Sequence, residues 1–114
     1  MANHIPFQTV DWNSIEKTAY QGETGMAYWQ TWQLGDLRVR IVEYTAGYLA
    51  DHWCHKGHIV HCLEGTFVTK LQNGESFTLT TGMSYLVSDE LSSHRSISEK
   101  GAKLLIIDGG FLGV

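Results

Sequence analysis

From residue 26 onward, apolar and polar side chains alternate along the chain. "MAYWQTWQL" (26–34) and "LRVRIVEY" (37–44) are separated only by Gly35-Asp36. Two alternating runs joined by such a pair predict a β-hairpin. Leu37, Val39 and Ile41 share one face of its second strand; Arg40 and Tyr44 share the other. Gly47 breaks the pattern before "YLADH". "HIVHCLEG" (58–65) predicts a strand ending in a turn at Glu64-Gly65. "TFVTKL" and "ESFTLTT" flank Asn73-Gly74, a second hairpin signal; Gly82 opens "MSYLV"; "HRSIS" and "AKLLIID" flank "EKG". No long stretch keeps a 3.6-residue period. Roughly nine or ten short strands at this spacing predict an all-β, antiparallel barrel or sandwich. Closing the sheet on itself buries one face of every strand.

Residues 1–24 read as a short N-terminal arm, with Asp11 a candidate N-cap for one or two helical turns. The expected organisation is a single domain, with the arm at 1–24, the barrel at 25–108 and a tail at 109–114. A chain of 114 residues is enough for one modest core.

Composition narrows the partners. The formal net charge is -4 and only 18% of residues are charged, with no extended basic run. Nucleic acid and anionic membrane surfaces are therefore poor partners. The longest apolar runs, such as "LLII" at 104–107, are too short to span a bilayer, and "MANHIPFQTV" has no secretory pattern. The expectation is a cytoplasmic protein with reduced thiols. Four tryptophans and the apolar tail "GGFLGV" give more apolar surface than a small barrel buries easily, which predicts a homodimer.

The chemistry concentrates in "DHWCHKGHIVHCLEG" (51–65), which holds four histidines and both cysteines. In an extended chain His52, Cys54 and His58 share one face, and His55 and His61 the other. Imidazole and thiolate together suit Zn, Fe, Ni or Cu and not Mg or Ca. His94, where a loop enters a strand, is the candidate donor from elsewhere in the barrel. The plain alternative is a polar barrel mouth with an ordinary buried cysteine. A Cys54–Cys62 disulfide is not expected: eight extended residues span about 26 Å, against about 7 Å between bridged Cα atoms.

Residues 47–65 resemble the first motif of the cupins, G-x5-H-x-H-x3/4-E-x6-G. Counting back from Gly65, the glutamate position falls on His58, the second histidine on Cys54 and the first on His52, with Gly47 as the opening glycine. "GMSYLVSDELSSHRSIS" (82–98) is similar to the second motif, with Gly82 as its glycine and His94 as its histidine; Ser88 replaces its proline. "DHWC" is also similar to the motif of a small cupin group named for Asp-His-Cys-Trp. The resemblance implies a small antiparallel jelly-roll β-barrel holding one divalent transition metal on His52, Cys54, His58 and His94. Cysteine for histidine and histidine for glutamate shift the set from Mn towards Zn, Cu, Ni or Fe(II).

Around these ligands, Asp51 is a candidate acceptor for a ligand histidine's second N–H. Arg40, with Tyr44, is either an anion-binding pocket residue or part of a solvated strand face. Tyr85 and Trp32 are candidates to line the barrel. Three functional readings stand. The first is an oxygenase- or isomerase-type enzyme with a small organic ligand on an open metal. The second is a non-catalytic ligand- or metal-sensing barrel. The third is a structural or metal-free assembly part. No catalytic residue or substrate is identifiable, and no phosphate loop, nucleophile elbow or H-E-x-x-H helix occurs.

Overall fold

The computed structural model describes residues 4–113. Nine strands follow one another: β1 (Thr18–Gln21), β2 (Met26–Leu34), β3 (Leu37–Tyr44), β4 (Tyr48–Leu49), β5 (His58–Leu71), β6 (Ser76–Thr80), β7 (Ser84–Val87), β8 (His94–Ser98) and β9 (Ala102–Asp108). Short 3-10 turns cover Trp12–Ser14 and Gly110–Leu112. The expected helical segment of the arm reduces to the first of these, with Asp11 accepting from the Asn13 N–H as its cap. The strand order is β1-β2-β3-β9-β5-β8-β4, with β6 and β7 also on β5, and every pairing is antiparallel. The sheet curls on itself in a jelly-roll arrangement. Among the described residues, no helix is long and apolar enough to cross a membrane.

β5 organises the barrel. Its first half pairs with β9 on one side and β7 on the other; its second half pairs with β8 and β6. The handover sits at a register shift between Cys62 and Glu64, followed by Gly65 at φ 82°. The turn expected at Glu64-Gly65 is therefore a β-bulge, and one fourteen-residue strand runs through it. A glycine of positive φ marks a hairpin turn and a bulge alike, so local composition does not separate them. Gly65 is required twice over: a Cβ there would also stand 2.4 Å from the Gly101 carbonyl oxygen.

The two expected hairpins form as read. Leu34 and Leu37 pair across Gly35-Asp36, and Asn73-Gly74 joins β5 to β6, with the Gly74 N–H on the Leu71 carbonyl. The core gathers Val42, Val60, Cys62, Phe67, Leu79 and Leu104. Full burial of a side chain such as Phe67 is worth about 1.5–3 kcal/mol.

β3 turns the opposite way from a simple amphipathic reading. Arg40, Val42 and Tyr44 face the lumen. Ile41 faces outward beneath the arm, where Trp12 and Ile15 lie. Gln30 on β2 donates to the carbonyls of Trp12 and Ile15, at 2.6 and 2.9 Å, and so fastens the arm across this outer face. Both faces of β3 are thereby covered, and Arg40 does not lie on a solvated strand face.

Candidate metal centre

Cys54 and His94 are brought side by side by backbone hydrogen bonds. The Cys54 N–H donates to the His94 carbonyl at 2.8 Å and the His94 N–H returns to Cys54 at 3.0 Å. Such an antiparallel pair projects both side chains to one face. His58 opens β5 opposite Val87 of β7. The preceding Gly57 allows a close approach: its N–H donates to Asp89 Oδ1 at 2.6 Å, and a Cβ there would meet the Val87 carbonyl at 2.6 Å.

Three side chains converge. Donor atoms of Cys54, His58 and His94 all lie within 4.8 Å of one another. Cys54 Sγ is 3.5 Å from His58 Nε2. The His58 and His94 rings stand edge to face with centroids 5.1 Å apart. His94 is oriented through its other nitrogen, whereas His58 Nδ1 makes no hydrogen bond among the described residues. His94 Nδ1 lies 3.0 Å from the Ser92 carbonyl, which accepts only from a protonated nitrogen, so Nε2 carries the lone pair. His58 Nδ1 lies 3.6 Å from Asp108 Oδ1. His94 Nε2 is buried and has no hydrogen-bond partner. A buried lone pair without a partner costs free energy unless something binds it.

Electrostatics reinforce the cluster. Burial pushes the Cys54 thiol up, but the His58 contact, a backbone N–H at Lys56 and the Arg40 charge outweigh it, and the thiol sits below its ordinary range. Burial works against a charged His58, yet Asp108 and Cys54 raise it overall. Asp108 itself is disfavoured by burial, but His58, Arg40 and Arg38 hold its carboxyl at about 2.

The other candidates fall elsewhere. His52 lies on the rim of the same cavity, 73% exposed, with Nδ1 2.6 Å from Asp51 Oδ1. Asp51 thus faces His52 and is not beside the three inner residues. His55 and His61 bond Ser93 and Ser84, at 2.8 and 2.7 Å, outside the cluster. Both cysteines are free, and Cys62 is fully buried in the core. Tyr85 lines the lumen with its ring centroid 5.9 Å from His94. Trp32 shares its strand face with Gln30, on the arm's side; Trp29 lines the lumen instead.

Two residues of the site were not singled out from the sequence. Asp108 bonds both Arg38, 2.7 Å from Nη2, and Arg40, 3.2 Å from Nη2. Trp29 lies under Arg40, with Cζ 4.3 Å from the ring centroid. Above the cluster is a cavity of about 280 Å³, lined by Trp29, Arg40, Tyr44, Lys56, Tyr85 and Arg95 among others. Arg95 anchors its outer wall by donating to the Ala50 carbonyl at 2.8 Å and pairing with Glu23.

No family model matches the chain, and no curated protein matches it. Solved structures do. Ectoine synthase from P. lautus superposes with a TM-score of 0.73 at 15% identity, covering 95% of this chain and 80% of that one. An RmlC-like cupin from Shewanella frigidimarina gives 0.71 at 18% identity, covering 95% and 91%. A sugar phosphate isomerase of the cupin superfamily from Silicibacter pomeroyi gives 0.69 at 15% identity, covering 90% and 75%. At these identities the likeness is one of fold: the chain has the cupin fold.

Proposed function

We propose that this protein is a metal-binding cupin whose barrel holds one divalent transition metal, Zn, Fe, Ni or Cu, on Cys54 Sγ, His58 Nε2 and His94 Nε2. One observation carries the reading: donor atoms of Cys54, His58 and His94 converge within 4.8 Å, and the buried Nε2 of His94 has no hydrogen-bond partner among the described residues. The soft thiolate and two neutral nitrogens suit these metals and exclude Mg and Ca. The Ser92 carbonyl acts behind the ligands, holding the His94 ring in its tautomer, and Asp108 stands 3.6 Å behind His58 as a charge partner. Three protein donors would leave room for a further ligand, and Cys54, His58 and His94 all line the cavity. His52 remains at the rim, outside the inner three.

When bound, such a metal would supply Lewis acidity, or redox chemistry for iron and copper. The chain's own part is to line the site with Tyr85 and Val60, and to present a cationic wall to the ligand. On this basis we propose an enzyme acting on a small organic molecule, of oxygenase or isomerase type. A second reading, a binding barrel without turnover, is favoured by one feature: among the described residues no carboxylate lines the cavity to serve as general base. It predicts ligand-dependent stabilisation and no product.

Cobalt(II) titration of chelator-treated protein tests the metal reading. A sulfur-to-cobalt absorption band should grow to one equivalent, disappear in Cys54→Ser and weaken in His94→Ala. A cobalt spectrum indifferent to Cys54→Ser would refute this ligand set.

A further inference from the structure

The cavity over the Cys54–His58–His94 cluster is cationic in a chain that is acidic overall. Arg38, Arg40, Lys56 and Arg95 line it, and among the described residues no aspartate or glutamate does, although the net charge of the chain is -4. Two carboxylates stand behind the wall. Glu23 pairs with Arg95 on the outside. Asp108 is shared between Arg38, Arg40 and His58. Lys56 has no carboxylate partner among the described residues. The wall therefore carries positive charge that the protein leaves unbalanced.

Arg40 is the deepest of these charges. Its side chain is 5% exposed and is held between Asp108 and the face of Trp29. Burial disfavours its charged state and Asp108 offsets that only in part. Its Nε has no hydrogen-bond partner. A buried guanidinium with one shared counter-ion is costly to keep, and a second anion would relieve it. The cavity also decides what kind of anion fits. Among the described residues its lining contains no glycine and no helix N-terminus, the features that cradle phosphate with backbone N–H groups. Its inner wall is apolar, made of Val42, Tyr44, Leu104 and Ile106. About 280 Å³ admits a small molecule only.

We infer that the cavity binds a small organic carboxylate, its carboxylate paired with Arg40 and its body against Tyr44, Val42 and Leu104, beside the Cys54–His58–His94 centre. This deepens the reading above by naming the ligand class of the same site, but the Arg40 pairing does not need the metal. Lys56 and Arg95 draw the anion in from the rim; Arg40 fixes its orientation through a planar guanidinium that lysine cannot reproduce.

Calorimetry on the full chain, as purified and after metal removal, tests this with malonate and benzoate as probes. Malonamide and benzamide serve as neutral counterparts, and inorganic phosphate as the competing anion. At least one carboxylate should bind in both metal states, with its amide at least about tenfold weaker. Arg40→Lys should weaken carboxylate binding by about tenfold or more while thermal unfolding stays cooperative. If that variant does not fold, the amide comparison on the wild type decides alone. No binding of either carboxylate at about 10 mM overturns the inference. So do amides that bind equally well, or phosphate that binds more tightly. Binding that persists in metal-free protein and in Cys54→Ser upholds it even if the metal reading fails. Binding abolished by metal removal but untouched by Arg40→Lys overturns it and leaves the metal reading standing.

Discussion

Replacing Asp108 by asparagine removes the one carboxylate that faces Arg38, Arg40 and His58 together. Its folded pKa of about 2 compares with an ordinary 3.8. A carboxyl depressed by that much contributes about 2 kcal/mol of stability, since each unit is worth about 1.4 kcal/mol. The sign follows from linkage: a depressed folded pKa stabilises above the unfolded pKa and is lost as pH falls through the folded one. The contribution is complete at pH 7, about half gone by pH 3, and absent below about pH 2. Arg40 left buried without its partner adds to the loss at neutral pH. Urea denaturation of wild type and Asp108→Asn from pH 7 down to pH 3 should therefore give a gap of about 2 kcal/mol or more that narrows as pH falls. A gap independent of pH, or none at pH 7, would refute the assignment of Asp108 as the shared counter-ion.

Other consequences are as specific. Asp108→Asn should also weaken metal binding by about tenfold or more, because it loosens the His58 ring; competition with a chromophoric chelator measures this. Gly65→Ala should destabilise the barrel by about 2 kcal/mol or more, since the bulge needs both a positive φ and the space over Gly101; thermal melting checks it. Phe67→Ala should cost about 3–5 kcal/mol by emptying the lumen between the two halves of β5, read from urea midpoints. His52→Ala should leave metal content unchanged; a clear loss would bring the rim histidine into the ligand set.

The strands were legible because their alternation and turn residues are local. "LRVRIVEY" shows its period whichever face is inside, and Asn73-Gly74 marks its hairpin by backbone conformation alone. The face was not legible. Leu37, Val39 and Ile41 look like a core face, but Ile41 lies outward beneath the arm and Arg40 enters the lumen. Among the metal candidates, Cys54 and His58 lie on one parity and do come together, but not through a straight strand. Residues 50–57 form a loop, with only Cys54 bridged to His94, and His52 turns out to solvent. Asp108 could not be found by reading along the chain. It is simply the last residue of "AKLLIID", and it acquires meaning only when β3 and β9 pair with Arg38 opposite it. Trp29 likewise gains its role from the guanidinium that the neighbouring strand places over it.

Metal binding by Cys54, His58 and His94 is the premise of the proposed function. Elemental analysis of untagged protein, as purified and after reconstitution, tests it most directly, with Cys54→Ser and His94→Ala in parallel. Close to one transition-metal ion per chain is expected in the wild type, with a large loss in both variants, each still folded by circular dichroism. A wild type that takes up no metal under any reconstitution, or variants that retain it fully, would contradict it.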